Sequence, residues 1–328
     1  MSVSKSYGVG LCFGLAALAW VLGSYFPLIG GPVFGILIGI GIASSFGGRL
    51  ALFKEGAVFS GKKLLQLSVI LLGFEMNLFQ VLEVGAGSLL VMCFTLLTAF
   101  LAAWVFGRLL RVDWTTATLI GVGTAICGGS AIAATAPVIH AKDKEIAHSI
   151  STIFLFNIVA VFVFPALGHF FQMSDVGFGV WAGTAINDTS SVLAAGYAFS
   201  PEAGNLATIV KLTRTLMIIP ITFGLSIYVS RRSSEASRFE IGKAIPWFIG
   251  GFILTTVINT SGILPPGWAK SLGTVGKFLI AVAMVGIGLN THLGQLVRNG
   301  MRPILLGLLC WISLATVSLV VQGWLGIM

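Results

Sequence analysis

Two short segments of the chain carry polar residues in the middle of apolar runs, and the two segments are near-copies of each other. The first reads Gly-Thr-Ala-Ile-Cys-Gly-Gly-Ser-Ala-Ile-Ala-Ala over 123–134, and the second reads Gly-Thr-Ala-Ile-Asn-Asp-Thr-Ser-Ser-Val-Leu-Ala over 183–194. In hydrocarbon, a helix is interrupted only where its freed backbone groups face protein or a water-filled site. Paired interruptions in related halves of a chain indicate the binding site of a transporter. The sequence therefore predicts a binding site where the two segments meet.

In the first segment the candidate binding residues are Cys127, Gly128, Gly129 and Ser130. The two glycines let the chain turn without steric cost and expose their backbone N–H groups. A half-helix that begins near Ser130 would present free N–H donors and the positive end of its dipole, which favours an anion. The alternative interpretation is a small-residue face on which helices pack closely.

The second segment carries overtly polar candidates at the corresponding positions: Asn187, Asp188, Thr189, Ser190 and Ser191. A carboxylate inside a membrane is costly, so Asp188 is a functional hypothesis by default. Three roles stay open for it: the N-cap of a broken helix, a site for a coupling proton or sodium ion, and one half of a buried ion pair. We predict that the backbone around Thr189–Ser191 hydrogen-bonds the substrate and that Asp188 carries the coupling ion.

Two cations, Lys211 and Arg214, lie in the predicted helix that follows. They lie about 12 and 17 Å along that helix from residue 203, too deep for easy contact with the membrane interface. At i and i+3 they share one face. Sixty residues earlier, the corresponding residues are Ser151 and Phe154, so the charges belong to one copy only. We predict a substrate-facing cationic pair, and the alternative is that both are structural partners of Asp188.

The composition places these residues in a membrane. Of the 328 residues, 56% are hydrophobic and 9% are charged, and the mean hydropathy is +1.00. Soluble domains carry about 25% charged residues, so the chain is predicted to be an integral membrane protein. The net charge of +8 comes from basic residues clustered between apolar segments, as the positive-inside rule requires. Binding to nucleic acid is therefore not expected.

With about 20 residues per span, the sequence predicts an all-α polytopic membrane protein of about 9–11 transmembrane helices. The predicted spans are 8–26, 32–47, 62–82, 86–108, 147–170, 203–229, 244–262, 274–296 and 302–323, with interrupted segments at 116–139 and 178–199. The basic loops fall on one side if the N-terminus is cytoplasmic. The first apolar stretch ends in no small-residue cleavage site, so we expect a retained helix. The polar stretch 231–243 is predicted to be a cytoplasmic linker.

A second similarity relates residues 61–85 to residues 276–300, with seven identical positions at an offset of 215. The two helices concerned are predicted to point in opposite directions, as in inverted structural repeats. The interrupted segments are either broken spanning helices or re-entrant hairpins from opposite faces. Each leg of about 10 residues rises about 15 Å, half the hydrocarbon thickness, so both fit, and we favour hairpins. The single transmembrane domain is predicted to divide into a core (62–230 and 274–323) and a scaffold (1–50 and 244–262).

The same residues give little support to an enzyme or a metal protein. Ser130 follows two glycines, but an intramembrane serine hydrolase needs a histidine as its base. The histidines lie near predicted loops or helix ends, outside the interrupted segments. The cysteines stand singly, without ligand spacing: Cys12, Cys93, Cys127 and Cys310. We expect no catalytic residue, no metal site and no cofactor.

Taken together, the segments resemble an uncharacterised family of bacterial inner-membrane proteins that is named for sulfate export. The likeness covers nearly the whole chain and rests on the 123–134 run, Ala-Lys-Asp-Lys-Glu at 141–145, Asn-Asp-Thr-Ser-Ser-Val at 187–192 and Val-Lys-Leu-Thr-Arg at 210–214. More remotely, the chain is similar to the superfamily of sodium/proton antiporters and bile-acid symporters. There, two crossing broken helices form the site in a core that moves against a scaffold. The resemblance implies a secondary transporter of the inner membrane.

We therefore expect an ion-coupled secondary transporter of a small inorganic or organic anion, such as sulfate or an organosulfonate, with elevator-like alternating access. The coupling ion would be a proton or sodium. The alternative is a monovalent cation/proton antiporter, favoured by the Asn187-Asp188 pair, and a channel is a third reading. Trp104, Trp247 and Trp311 indicate either anchors at the membrane interface or the face of a homodimer.

Overall fold

The computed structural model describes residues 3–26, 30–46, 52–230, 247–291 and 301–327, and over these ranges the regular structure is helical. A helix satisfies every backbone group within its own segment, which the apolar composition demands. The helices are α1 (Val3–Tyr25), α2 (Gly31–Phe46), α3 (Lys54–Phe59), α4 (Leu65–Leu72), α5 (Leu78–Leu109), α6 (Trp114–Ala125), α7 (Gly129–Thr135), α8 (Asp143–Phe170), α9 (Asp175–Ala185), α10 (Thr189–Phe199), α11 (Pro201–Leu216), α12 (Ile218–Ser230), α13 (Trp247–Thr260), α14 (Pro266–Leu289) and α15 (Met301–Leu325).

Seven helical units within the described ranges are long and apolar enough to cross a membrane. One of them, Lys54–Glu75, is composite: a π-helical turn (Ser60–Leu64) joins α3 to α4, and a 3₁₀ turn (Gly73–Glu75) follows. Two shorter apolar helices, Gly31–Ser45 and Trp247–Thr260, lie beside them. The predicted all-α polytopic class is confirmed. The predicted linker 231–243 lies outside the described residues.

The predicted limits of the third and fourth spans, 62–82 and 86–108, were wrong. Lys62 lies inside the composite helix rather than at its start. Its side chain is exposed, so the long apolar stem can hold the ammonium in polar surroundings. The chain turns earlier, at Asn77, whose Oδ1 accepts the N–H of Phe79 at 2.8 Å and caps α5. The span predicted at 274–296 also begins earlier, at Pro266, because proline suits the first turn of a helix.

The helices pack into two bundles. Bundle A contains α1–α4, α13 and α14, and bundle B contains α5–α12 and α15. In bundle A, α2 and α14 approach closely because glycines face each other: a Cβ on Gly39 would lie 2.8 Å from the Cα of Gly288. Bundle B has an aromatic core, in which Phe164 stacks on Trp181 at 4.2 Å between ring centroids. The Trp181 indole N–H donates to the carbonyl of Ala315 at 3.1 Å.

The predicted division into core and scaffold stays a prediction beside this packing. Residues 62–75 and 274–289 pack mainly with the first helices and with α13, and the helix containing 274–289 also contacts α10 of the second interrupted segment. The close approach depends on Gly286, where a Cβ would lie 2.6 Å from the carbonyl oxygen of Ala57. Trp311, predicted to be exposed, is buried against Phe156 at 5.5 Å between centroids, so it is neither an interface anchor nor part of a dimer face.

Both interrupted segments are re-entrant hairpins. In the first, Ser149 near the start of α8 donates to the carbonyl of Thr116 near the start of α6, at 3.4 Å. Since α7 ends only eight residues before α8 begins, α7 must return to the end at which α6 started. In the second, Phe178 of α9 stacks on Phe199 of α10 at 4.0 Å between centroids, so α10 also returns. These are the hairpins that the sequence favoured.

The hairpins enter from opposite ends of α8. The start of α8 lies beside the first hairpin, through Ser149, and its end lies beside the second, where His169 stacks on Phe199 at 4.4 Å between centroids. The 28 residues of α8 span about 42 Å at 1.5 Å per residue. The relation of the two halves as inverted repeats stays a prediction.

The interface between the bundles is largely apolar. Ile158, Leu193 and Leu212 of bundle B pack in one cluster with Ile36 and Phe252 of bundle A. Polar contacts interrupt it in places, among them a cluster near the end of α10. There Lys277 Nζ lies 2.7 Å from Glu75 Oε2 and 5.6 Å from the ring centroid of Tyr197. The Tyr197 hydroxyl donates to Asn205 Oδ1 at 2.6 Å. This cluster ties the second hairpin to bundle A.

Candidate functional site

The first hairpin breaks between Ala125, where α6 ends, and Gly129, where α7 begins. Gly128 has a φ of +66°, a conformation that side-chain-bearing residues rarely adopt, and its N–H donates to the carbonyl of Gly123 at 2.9 Å. Cys127 is buried, Gly129 is half-buried and Ser130 is exposed. The glycine pair therefore makes the turn, and the break opens outward at Ser130.

The second hairpin breaks between Ala185 and Thr189, and Asp188 caps the half-helix that follows. Its Oδ2 accepts the N–H of Ser190 at 3.0 Å and also the Ser190 hydroxyl. The hydrogen bond shows the capping role, one of the three that the sequence left open. Asn187, Thr189, Ser190 and Ser191 are buried, whereas Asp188 is half-buried. Its carboxylate is therefore accessible as well as bonded.

Lys211 joins the two breaks. Its Nζ donates to the carbonyl of Ile126 at 2.7 Å and to the carbonyl of Ile186 at 2.9 Å. Both carbonyls follow the last turn of a half-helix, where backbone oxygens have no partner inside the helix and the dipole is negative. An ammonium at this point supplies donors and positive charge together. The side chain is fully buried.

Arg214, one turn further along α11, donates to backbone carbonyls that come just before Ile126 and Ile186 in the chain. Its Nε donates to the carbonyl of Ala125 at 2.6 Å, Nη2 donates to Thr124 and Nη1 donates to Thr184. The five N–H donors of a guanidinium suit it to several acceptors at once. Like Lys211, it is fully buried. Together the two side chains hold both breaks onto one face of α11.

The sequence predicts Lys211 and Arg214 as a substrate-facing cationic pair, with structural partners of Asp188 as the alternative. The five hydrogen bonds described above go to backbone carbonyls, and none of them involves Asp188. The geometry therefore assigns both cations first to the backbone. Direct contact with an anion stays a prediction.

Asn157 of α8 is a site residue outside the set predicted from the sequence. Its Oδ1 accepts the N–H of Asp188 at 3.1 Å. Its Nδ2 is buried and lacks a hydrogen-bond partner among the described residues. A Cβ built on Gly128 would lie 3.6 Å from this Nδ2 and 3.5 Å from the Cβ of Asp188. Asn157 therefore connects the two breaks, and its mid-helix position in an apolar run was the available signal.

Two buried amide atoms at the breaks thus lack partners within the part of the chain described. They are Nδ2 of Asn157, a donor, and Oδ1 of Asn187, an acceptor. A buried polar atom without a hydrogen bond costs about 1–3 kcal/mol. Such atoms are retained where a ligand or water satisfies them.

A cavity of about 300 Å³ lies beside the first break, between the bundles. It is lined by Ala57, Val58, Gly61, Ile150, Ser151, Phe154, Gly286, Ile287, Asn290 and Thr291. These residues come from the first half of the composite helix, the start of α8 and the end of α14. Phe154 lines the cavity and also approaches the break, because its Cε2 would lie 3.6 Å from a Cβ on Gly129.

The charges around the breaks do not cancel. Two basic side chains, Lys211 and Arg214, stand at the breaks against one carboxylate, Asp188. The negative ends of α6 and α9 are offset by the positive ends of the half-helices that follow each break. Within the described ranges, no group of three His, Cys, Asp or Glu side chains is placed to hold a metal ion. The arrangement is suited to binding a small anion, alone or together with a cation at Asp188.

Comparison with known proteins identifies relatives along the full length. The family model described as "Conserved hypothetical protein 698" matches residues 7–307. A UPF0324 membrane protein of Fusobacterium nucleatum is 46% identical over 99% of both chains. UPF0324 membrane proteins of Streptococcus agalactiae and Streptococcus pyogenes are 48% and 49% identical, each over 98% of this chain and 98% of the relative. The relatives are named as membrane proteins, in agreement with the apolar helices.

Proposed function

The chain belongs to the family described as conserved hypothetical protein 698, and we propose that this multi-pass membrane protein is an ion-coupled secondary transporter of a small anion. Sulfate and organosulfonates are the candidate substrates, and the bacterial inner membrane, with a cytoplasmic N-terminus, is the proposed location. One observation carries the proposal: two re-entrant hairpins break at a common point, where Lys211 and Arg214 are buried. Interrupted helices that meet inside a membrane are the usual location of a transport site.

The anion would bind at the amino-terminal end of α10. The N–H groups of the first turn of a helix have no acceptor inside the helix, and Asp188 takes only that of Ser190. The backbone N–H groups of Thr189 and Ser191, which have no acceptor among the described hydrogen bonds, would donate to a substrate, as would the backbone around Gly128–Ser130. Lys211 and Arg214 would supply the positive potential while they hold the carbonyl ends in place.

Asp188 would bind the coupling proton or sodium ion. Asp188 is half-buried at the second break, its N–H donates to Asn157 Oδ1, and its Cβ lies 3.5 Å from a Cβ built on Gly128 of the first break. An anion and a cation bound this close would favour each other electrostatically, which couples their movement. The N-cap bond of Asp188 also links the occupancy of the carboxylate to the conformation of α10.

Alternating access would come from bundle B moving against bundle A. The interface between them is apolar and opens at one end into the cavity beside Phe154, while the Glu75–Lys277 cluster closes it near the end of α10. In this arrangement the site would be reached from the side where α8 begins and α14 ends. Movement of one bundle past the other would exchange the open and the closed end.

The test is uptake by proteoliposomes. Purified protein should accumulate sulfate or an alkylsulfonate when a proton or sodium gradient is imposed, and uptake should saturate. Asp188→Asn should abolish the dependence on the gradient. If no anion moves under either gradient, the proposal fails.

A monovalent cation/proton antiporter is the second candidate, favoured by the oxygen atoms at the second break. Asn187 Oδ1 is buried and lacks a described partner, and it stands next to Asp188 in the chain. Oxygen ligands of this kind suit hard cations. An antiporter would dissipate a preformed proton gradient when sodium or potassium is added, in the absence of a permeant organic anion. Replacing Lys211 would then shift the pH range of exchange rather than abolish it.

A further inference from the structure

We propose that the substrate is a monovalent organic anion with a short hydrocarbon part, whose apolar end occupies the cavity beside Phe154. The inference rests on the proposed function and names the substrate class of the same site. It follows from the size and lining of the cavity, from the charge at the breaks and from the use that the two buried cations make of their donors.

The cavity is too large and too apolar for an inorganic oxyanion alone. About 300 Å³ corresponds to roughly ten water molecules at about 30 Å³ each. Seven of the ten lining residues are glycine, alanine or larger apolar residues, and none is charged. Two of the three polar lining side chains bond within their own helix: Asn290 Nδ2 donates to Gly286, and the Thr291 hydroxyl donates to Ile287, both at 2.8 Å. Such walls favour methylene groups.

The ionic end of the ligand would lie at the breaks. Phe154 is in contact with both regions, since it lines the cavity and approaches Gly129. Next to Gly129, a Cβ on Gly128 would lie 3.6 Å from the buried Nδ2 of Asn157, which lacks a described partner, and Asn157 Oδ1 accepts the N–H of Asp188, the N-cap of α10. A sulfonate or carboxylate placed there would accept the Asn157 amide and the N–H groups of the amino-terminal turn of α10, while its carbon chain extends into the cavity.

The charge at the breaks matches one negative charge. Lys211 and Arg214 donate hydrogen bonds to the carbonyls of both hairpins, and the carboxylate of Asp188 offsets one of these two basic side chains. A monovalent anion balances the excess of one basic side chain over the carboxylate. A dianion such as sulfate would exceed it unless a further cation bound with it, and would leave the apolar cavity unfilled.

The experiment is calorimetric titration of the full-length purified protein with sodium methanesulfonate, 1-butanesulfonate and sulfate at equal ionic strength. Each methylene buried in an apolar cavity contributes about fourfold in affinity. Butanesulfonate, with three more methylenes than methanesulfonate, should therefore bind tens of times more tightly, and sulfate should bind most weakly of the three.

Two cavity-filling variants locate the hydrocarbon chain. Ser151→Leu and Ile150→Phe each add bulk to the lining, and either should reduce the affinity for butanesulfonate to about that for methanesulfonate, whose own affinity should change little. Val159→Phe is the control, because it adds bulk to the same helix at an exposed position outside the lining. It should bind all three anions as the wild type does. The second filling variant covers the case in which the first does not fold.

The outcomes separate the inference from the proposed function. If sulfate binds as tightly as butanesulfonate, or if chain length has no effect, the substrate class is wrong while an anion transporter still stands. The same holds if both folded filling variants keep the preference for the longer chain. If none of the anions binds and none is taken up by proteoliposomes, the proposed function and the inference fall together.

Discussion

The ammonium nitrogen of Lys211 lies 2.7 Å from the carbonyl oxygen of Ile126, at the point where the first hairpin breaks. The same nitrogen reaches Ile186 in the second hairpin at 2.9 Å. One side chain therefore bonds to the carboxyl-terminal ends of two half-helices that lie 60 residues apart in the chain. Each end has a negative partial charge and carbonyl oxygens without a donor inside their own helix. Lys211 supplies a donor and a positive charge to both ends.

Replacing Lys211 with Met should destabilise the protein and stop anion uptake. The change keeps an unbranched apolar side chain but leaves two buried carbonyls without a donor. A hydrogen bond to a charged group contributes about 1.5–3 kcal/mol, and two are lost. A melting curve of the purified protein measures the effect. Lys62→Met, the same change at an exposed lysine, should melt as the wild type does, and equal melting of both variants would contradict the prediction.

Replacing Asp188 with Asn should preserve the fold and abolish ion coupling. Asparagine is as good an N-cap as aspartate, so α10 keeps its cap while the charge is lost. Asp113 provides the matched control, because its Oδ2 caps α6 through the N–H of Thr116 at 2.7 Å, away from the breaks. Asp113→Asn should leave gradient-driven uptake unchanged. Proteoliposome uptake with and without a proton or sodium gradient distinguishes the two, and coupled uptake by Asp188→Asn would remove the assigned role.

Replacing Gly128 with Ala should lower the melting temperature. Its positive φ strains any residue with a side chain, at about 1–3 kcal/mol, and the added Cβ would lie 3.2 Å from Ile153 Cγ2. Gly87→Ala is the opposite case: this glycine lies in α5 with open space around it, so alanine should stabilise the helix by about 0.5–1 kcal/mol. Thermal melting of the two variants should therefore shift in opposite directions. A neutral or stabilising Gly128→Ala would show that the break does not depend on glycine.

Exchanging Glu75 and Lys277 should restore what either single reversal removes. The two side chains are 15% and 25% exposed, so an unpaired like charge in this apolar interface is costly. Glu75→Lys and Lys277→Glu should each lower the melting temperature, and the double variant should melt closer to the wild type. The coupling expected for a contacting pair is about 0.5–3 kcal/mol. Additive losses in the double variant would show that the pair contributes nothing specific.

Much of the site could be predicted from the sequence because its signals are local. The glycines at 128–129 and the polar run 187–191 mark both breaks, and depth along a helix predicts that Lys211 and Arg214 reach them. The partners of these cations depend instead on which carbonyls face α11 in the folded hairpins. No spacing within one segment contains that information, and the expectation of an anion in direct contact follows from charge alone.

The limits of the helices were harder to predict than the all-α class. Lys62 resembles the start of a span, yet a lysine with a long apolar stem is tolerated inside a helix when its ammonium is exposed. The turn at Asn77 had a signal, an N-cap residue before an apolar run, that the charge pattern outweighed. The cavity beside Ser151 and Phe154 could not be predicted, because it exists only between helices from distant parts of the chain.

The five bonds from one turn of α11 also have a mechanical consequence. They connect both hairpins to α11. If one hairpin moved alone, buried carbonyl groups would lose their hydrogen-bond donors. The hydrogen bonds of Lys211 and Arg214 therefore argue against a gate in which only one hairpin moves. A conformational change should therefore move both hairpins together as one rigid body, and sliding should occur at the apolar interface between the two bundles.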